Sequence, residues 1–192
     1  MRKIFAIIAS LPLAFCLFAQ APAAPTPRKA GELVIHMTDG PDKLLSSYKG
    51  KMVVMAFMDT NCPHCQHMAG VLAKVQTEYA AKGVQVLGVT INPTAKHDVA
   101  SFNKTFGVNF PCGYSAPEPV QHFLHVESGY YYPMLAFVDR TGMLRSQVIY
   151  MGDNAEAETF LGAPEVNIRK EIAKYNKPIA AVPHKTTKTT AP

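Results

Sequence analysis

Apolar residues along this chain recur in two distinct periods, and the switches between them mark out elements. Lys51 to Met58 (KMVVMAFM) is an almost unbroken apolar run, the pattern of a strand buried on both faces. Asp59-Thr60-Asn61 then supplies turn and cap chemistry. From Cys62 to Lys82 the period lengthens: Cys65, Met68, Ala69, Leu72, Val75 and Tyr79 recur at three- and four-residue steps, which predicts a helix. Lys82-Gly83 ends it with a cation and a glycine. Val84 to Ile91 is a second apolar strand, so strand, helix and strand imply a right-handed crossover and parallel pairing. Thr94 to Phe106 predicts a second helix, with Val99, Phe102 and Phe106 facing inward, and Ala116 to Leu124 a short third one. Pro133 to Asp139 and Met143 to Tyr150 are two strands joined tightly through Arg140-Thr141-Gly142, hence an antiparallel hairpin. Ala155 to Tyr175 reads as one closing helix. The sum is an α/β fold: a central mixed β-sheet flanked by helices.

The two ends depart from this patterning. Arg2 and Lys3 precede an apolar run from Ile4 to Phe18, and Ala19-Gln20-Ala21 follows with small residues suited to a signal peptidase. Residues 1–21 are therefore expected to be a signal peptide that directs export. The apolar run is short for a membrane span, although an uncleaved segment would tether the protein. Cys16 follows the bulky Phe15, where a lipidation site wants a small residue. Loss of Arg2 and Lys3 lowers the formal charge from +5 to +3. No basic patch with interleaved aromatics is present, so no nucleic acid is expected as a partner. Residues 22–30 read as a disordered Pro/Ala spacer and 177–192 as a disordered polar tail, which leaves 31–176 as one domain.

Export changes what the cysteines mean, because disulfides persist outside the cytosol. Cys62, Cys65 and Cys112 remain after cleavage, and an odd count does not make a stapled scaffold. The close pair lies in DTNCPHCQHM, where a buried strand hands over to a helix. Pro63 fits the first helical turn, where its missing N–H costs nothing. Cys62 and Cys65, three residues apart, share one helix face. The first amides of the helix, its dipole and a protonated His64 all favour an anion at Cys62. The arrangement predicts an attacking Cys62 and a resolving Cys65, with no cofactor.

With these residues the chain resembles the thioredoxin superfamily, in particular the TlpA-like, redoxin (AhpC/TSA-like) branch of exported thiol–disulfide oxidoreductases. The likeness is carried by LLSSYKGKMVVMAFMDTNCPHC (Leu44 to Cys65), GVQVLGVTIN (Gly83 to Asn92) and YYPMLAFVDRTG (Tyr131 to Gly142), and spans roughly residues 31 to 176. The Cys-Pro-His-Cys tetrad itself is similar to that of DsbA-type oxidases. The resemblance implies a thioredoxin-like fold with Cys62 as the solvent-facing nucleophile and Cys65 as the buried partner. It implies that Pro133 is a cis-proline beside them, with the backbone of Tyr132 offered to a bound substrate strand. Expected partners are exported proteins with thiols or disulfides, apocytochromes among them, and a membrane or periplasmic redox partner. The protein is expected to act as a monomer in the periplasm or another extracytoplasmic space. Three departures stand out: Asn61 replaces the tryptophan usual before the first cysteine, and Ala56 and Met68 stand where relatives carry a buried acid. With His64 as the remaining charged neighbour, the local chemistry leans toward an oxidant or isomerase.

Two rival chemistries share these residues. Cys62, Cys65, His64 and His67, with His122 and His125 further on, are ligand types suited to copper, which makes a metal chaperone the alternative. The cysteine spacing is one residue short of that in copper chaperones of this fold, and His67 is rotated away from Cys62. A thiol peroxidase needs a threonine three residues before its cysteine and a proline four residues before that; Asp59 and Met55 hold those places. Cys112 reads as a small core residue, and Met52, Met55, Met58 and Met68 as core filler.

Overall fold

A computed structural model of the chain describes residues 27–152 and 154–178. The expected signal peptide and nearly all of the expected tail lie outside these residues. Eight strands and five helices follow in chain order among them: β1 (Arg28–Lys29), β2 (Val34–Ile35), β3 (Lys43–Leu44), β4 (Met52–Met58), α1 (Pro63–Tyr79), β5 (Val84–Thr90), α2 (Ala95–Thr105), β6 (Cys112–Tyr114), α3 (Pro117–Leu124), β7 (Tyr131–Val138), β8 (Met143–Tyr150), α4 (Ala155–Gly162) and α5 (Pro164–Tyr175). The main sheet has the order β1-β8-β7-β4-β5-β6. β4 pairs in parallel with β5, β5 in parallel with β6, and β7 antiparallel with both β4 and β8. The fold is thioredoxin-like α/β, with the mixed sheet that the periodicity predicts.

All seven residues of β4 are buried, and their alternation splits the interior in two. Met52, Val54, Ala56 and Met58 face a core shared with α1, α2, α4 and α5. Val53, Met55 and Phe57 face a second core built from α3 and the segment around Leu33, Ile35 and Leu45. Burying each large side chain of this kind contributes roughly 2 kcal/mol, so the central strand is fixed from both sides.

Two sequence expectations are corrected. The single closing helix over 155–175 is two helices, because Pro164 cannot continue the first. Its ring disfavours helical geometry at Ala163, which sits at φ −139° and ψ 59°. The expected spacer 22–30 also ends earlier. Arg28 and Lys29 pair with Leu144 and Met143, and the Arg28 guanidinium donates to the Phe123 carbonyl and lies 6.0 Å from the centre of that ring. A cation with an apolar stem can order a short strand that composition alone assigns to a spacer.

Two polar devices hold the end of the sheet where β4 begins. Arg140 donates to the carbonyls of Gly50 and Lys82 and to Asn176 Oδ1, tying three separated segments together. Asp139 organises the β7–β8 turn: Oδ1 accepts from the Thr141 hydroxyl at 2.6 Å, the Thr141 amide at 2.8 Å and the Met143 amide at 3.1 Å. Its Oδ2 pairs with Arg145 Nε at 2.6 Å. Burial acts to raise the Asp139 carboxyl, but the bonds from Thr141, Arg145 and Met143 outweigh it and hold the group below its ordinary value. Asp139→Ala should therefore cost about 2–4 kcal/mol near neutral pH, read by urea unfolding. A carboxyl held low contributes its stability above its unfolded value of about 3.9 and loses it as pH falls through the folded value. The difference between wild type and variant should accordingly shrink in acid; a gap that stays constant down to about pH 2 would contradict this account.

Candidate active site

The buried strand β4 delivers the chain to the edge of both cores, and the turn after it presents the cysteines. Cys62 is the N-cap of α1, with extended backbone at φ −82° and ψ 120°. Pro63 follows at the first helical position, where no hydrogen bond is lost. Cys62 is half-buried, whereas Cys65, one turn on, is fully buried against the α1 face of the sheet. Both carry free thiols. Pro63 and His64 are exposed on the first turn.

The turn is held by a closed polar network. Thr60 and Asn92 are 6% and 8% exposed, so each polar atom needs a partner. The Thr60 amide donates to Asn92 Oδ1 at 3.1 Å, and Asn92 Nδ2 donates to Thr60 Oγ1 at 2.9 Å and to Thr94 Oγ1 at 3.1 Å. Gln66 Nε2 returns from α1 to the Thr60 carbonyl at 3.1 Å. The loop after β5 thereby fixes the loop that carries Cys62.

β7 brings the remaining expected residues to the same place. The Tyr132–Pro133 peptide is cis, and the Tyr132 carbonyl lies 3.8 Å from Cys62 Sγ. Pro133 is buried; Tyr132 is half-buried and packs edge-on against Tyr130 at 5.7 Å between ring centres. Burial pushes the Tyr132 hydroxyl well up, with Tyr130 adding to it. Tyr131 stands 58% exposed beside them. Cys62, Cys65, Tyr132 and Pro133 therefore converge, with Pro63 and His64 on the rim.

Burial also pushes the Cys65 thiol well up, against the Asp59 amide that donates to its sulfur at 3.4 Å. A buried thiol next to a reachable one gives the two sulfurs different duties: Cys62 can meet a substrate, and Cys65 can meet only Cys62. Sequence reasoning missed Asp59 as a neighbour of Cys65, and missed the Thr60–Asn92 network. Asp59 stood in plain view three residues before Cys62, but nothing in the pattern shows that the turn folds back onto the second sulfur.

The donors of the metal reading do not gather. His67 is exposed, and the His122 and His125 rings stand 6.3 Å apart at the end of α3, where His125 has left the helix with φ 57°. Among the described residues no group of three or more His, Cys, Asp and Glu side chains could hold a metal ion. Cys112 lies on β6, 2% exposed, with its thiol pushed up to about 12 by burial.

Comparison with known proteins points in one direction. A sequence model described as the AhpC/TSA family matches residues 26–147. The thiol-disulfide oxidoreductase ResA of Bacillus subtilis is 33% identical over 82 residues, covering 43% of this chain and 45% of its own. That of Geobacillus thermodenitrificans is 25% identical over 115 residues, covering 58% and 66%. The chain thus spans between about half and two thirds of the length of the curated relatives it matches. Among solved structures, a thiol:disulfide interchange protein of the thioredoxin family from Chlorobium tepidum superposes with a TM-score of 0.63 at 20% identity, over 81% of this chain and 100% of that one. That likeness is one of fold.

Proposed function

This chain belongs to the AhpC/TSA family, and we propose that within it the protein is a thiol–disulfide oxidoreductase working through Cys62 and Cys65. One observation carries the reading: a half-buried sulfur at a helix N-cap, a buried sulfur one turn on, and a backbone carbonyl from the Tyr132–Pro133 segment 3.8 Å from the first. A substrate sulfur forms a mixed disulfide with Cys62 while its backbone lies along Tyr132-Pro133, and Cys65 then displaces it. His64 and Pro63 flank the reacting sulfur. Asp59 and Met55, where a peroxidase carries threonine and proline, argue for exchange between protein thiols over peroxide chemistry. The names of the ResA relatives support the same reaction class.

The proposed setting is extracytoplasmic, on exported proteins with thiols or disulfides and with a membrane or periplasmic partner that resets the pair. The support is the leader-like pattern of residues 1–21, which lie outside the described residues. Among the described residues no helix is long and apolar enough to cross a membrane.

Equilibration with glutathione buffers, followed by mass spectrometry, tests the reading without added metal. A Cys62–Cys65 disulfide should form, with a potential above thioredoxin's value of about −270 mV and toward the oxidising end. A value at or below thioredoxin's would reverse the assigned direction of electron flow. Failure to form the disulfide at any poise would remove the redox reading altogether.

A further inference from the structure

Cys65 poses a proton problem. It is fully buried, and burial keeps it a neutral thiol, whereas only a thiolate attacks a disulfide. The proton must leave from a place where solvent does not reach. The positions that could carry an acid from β4 or from the next turn of α1 are Ala56 and Met68, both buried and without charge. The titratable groups that do face Cys65 are Cys62 and Asp59, in the turn before α1, and Tyr132 on β7. β4 presents only apolar residues there.

Asp59 is placed by the turn itself. Its amide donates to Cys65 Sγ at 3.4 Å, and its carbonyl accepts from the Cys62 amide at 3.2 Å. Carboxylate Oδ1 accepts from the Asn61 amide at 2.8 Å, and Oδ2 has no hydrogen bond among the described residues. Asp59 is half-buried, so the residue whose amide bonds to the sulfur also reaches solvent. Its negative charge acts on Cys65 and on Tyr132, favouring the protonated form of each. Neutral Tyr132 keeps its own proton, which leaves Asp59 as the acceptor.

We propose that Asp59 accepts the proton of Cys65 when that thiol attacks the mixed disulfide on Cys62. The inference rests on the exchange reading above. In the reducing direction the Cys62 sulfur first displaces one sulfur of a substrate disulfide, which leaves as a thiolate. The S–H bond of Cys65 then breaks and its proton passes to the Asp59 carboxylate. The Cys65 sulfur bonds to the Cys62 sulfur, and the second substrate sulfur leaves as a thiolate that takes up a proton from water. Two electrons pass from the cysteine pair to the substrate disulfide. In the oxidising direction each step runs backwards, and protonated Asp59 returns its proton to Cys65.

Stopped-flow reaction with dithionitrobenzoate separates the two steps, since each releases one coloured thiolate: the first when Cys62 attacks, the second when Cys65 resolves. A variant lacking both cysteines gives the background from Cys112. Asp59→Asn retains an oxygen for the Asn61 amide but no longer takes a proton. It should slow the second release about a hundredfold near pH 7, the scale of general-base catalysis, and Asp59→Glu should restore most of it. The second release should change little between about pH 6 and about pH 8 in the wild type, and climb about tenfold per pH unit in Asp59→Asn, as hydroxide takes over. An unchanged second release, or an effect confined to the first, overturns the role of Asp59 alone. Absence of the first release in the wild type overturns the exchange reading with it.

Discussion

Replacing Cys62 by serine is expected to abolish disulfide exchange without weakening the fold. The thiolate is the nucleophile, and a hydroxyl in its place has no comparable anion at neutral pH. Cys65 cannot substitute, because its sulfur is buried beneath the turn and the first helical residues. At the same time Cys62 caps α1 without a side-chain hydrogen bond to it. Serine is among the preferred N-caps, so Cys62→Ser should hold or raise stability, by up to about 1 kcal/mol. The complementary change, Cys65→Ser, leaves the Cys62 sulfur proposed to attack and removes the one proposed to resolve. Mixed disulfides with partner thiols should then accumulate on Cys62 and be visible by mass spectrometry under non-reducing conditions. Residual exchange in Cys62→Ser, or no trapped species in Cys65→Ser, would reassign the roles of the two sulfurs.

The largest structural effect is expected at a glycine of β6, outside the cysteine pair. A Cβ on Gly113 would lie 2.1 Å from the His36 carbonyl oxygen and 3.0 Å from Ile35 Cγ2. That oxygen accepts from the Tyr114 amide at 2.9 Å, and the His36 amide returns a bond to the Tyr114 carbonyl at 2.9 Å. The obstacle is backbone, so relief requires the 35–36 segment to leave β6 and break both bonds. Overpacking of 1–3 kcal/mol and two hydrogen bonds at about 1 kcal/mol each put Gly113→Ala at roughly 3–5 kcal/mol. That is a large share of an ordinary domain's stability and should lower the melting temperature by roughly 10 °C. Gly70 on α1 makes the contrast: nothing lies within 4 Å of its added Cβ, so Gly70→Ala should stabilise by about 0.5–1 kcal/mol. Equal stabilities for these two variants in urea unfolding would refute the steric account.

What the sequence made legible follows from the length of each signal. β4, β5 and α1 carry enough periodic positions to announce themselves, and the cysteine pair sits where their periods change. Pro133 stood out through its likeness to a known pattern, and the Tyr132–Pro133 peptide is cis. Strands β1, β2, β3 and β6 have two or three residues each, too few for any period to register. The break at Pro164 was hidden by apolar positions that continue in phase on either side of it. Asp59 was legible as a turn residue, but its contact with Cys65 depends on how tightly the turn closes. That closure is set by Asn92, some thirty residues away.

The Arg140 clasp has a consequence for how the protein can be held. It gathers Gly50, Lys82 and Asn176 at the end of the sheet where β4 begins, and Arg28 and Lys29 pair with β8 beside the same end. Cys62 lies past the other end of β4, about 20 Å away along a seven-residue strand. The chain thus enters the described fold and leaves it at one pole, with Cys62 at the opposite one. A surface, a bead or a fused neighbour joined through either side of the domain becomes a handle at the back, with Cys62 turned toward whatever approaches from the front.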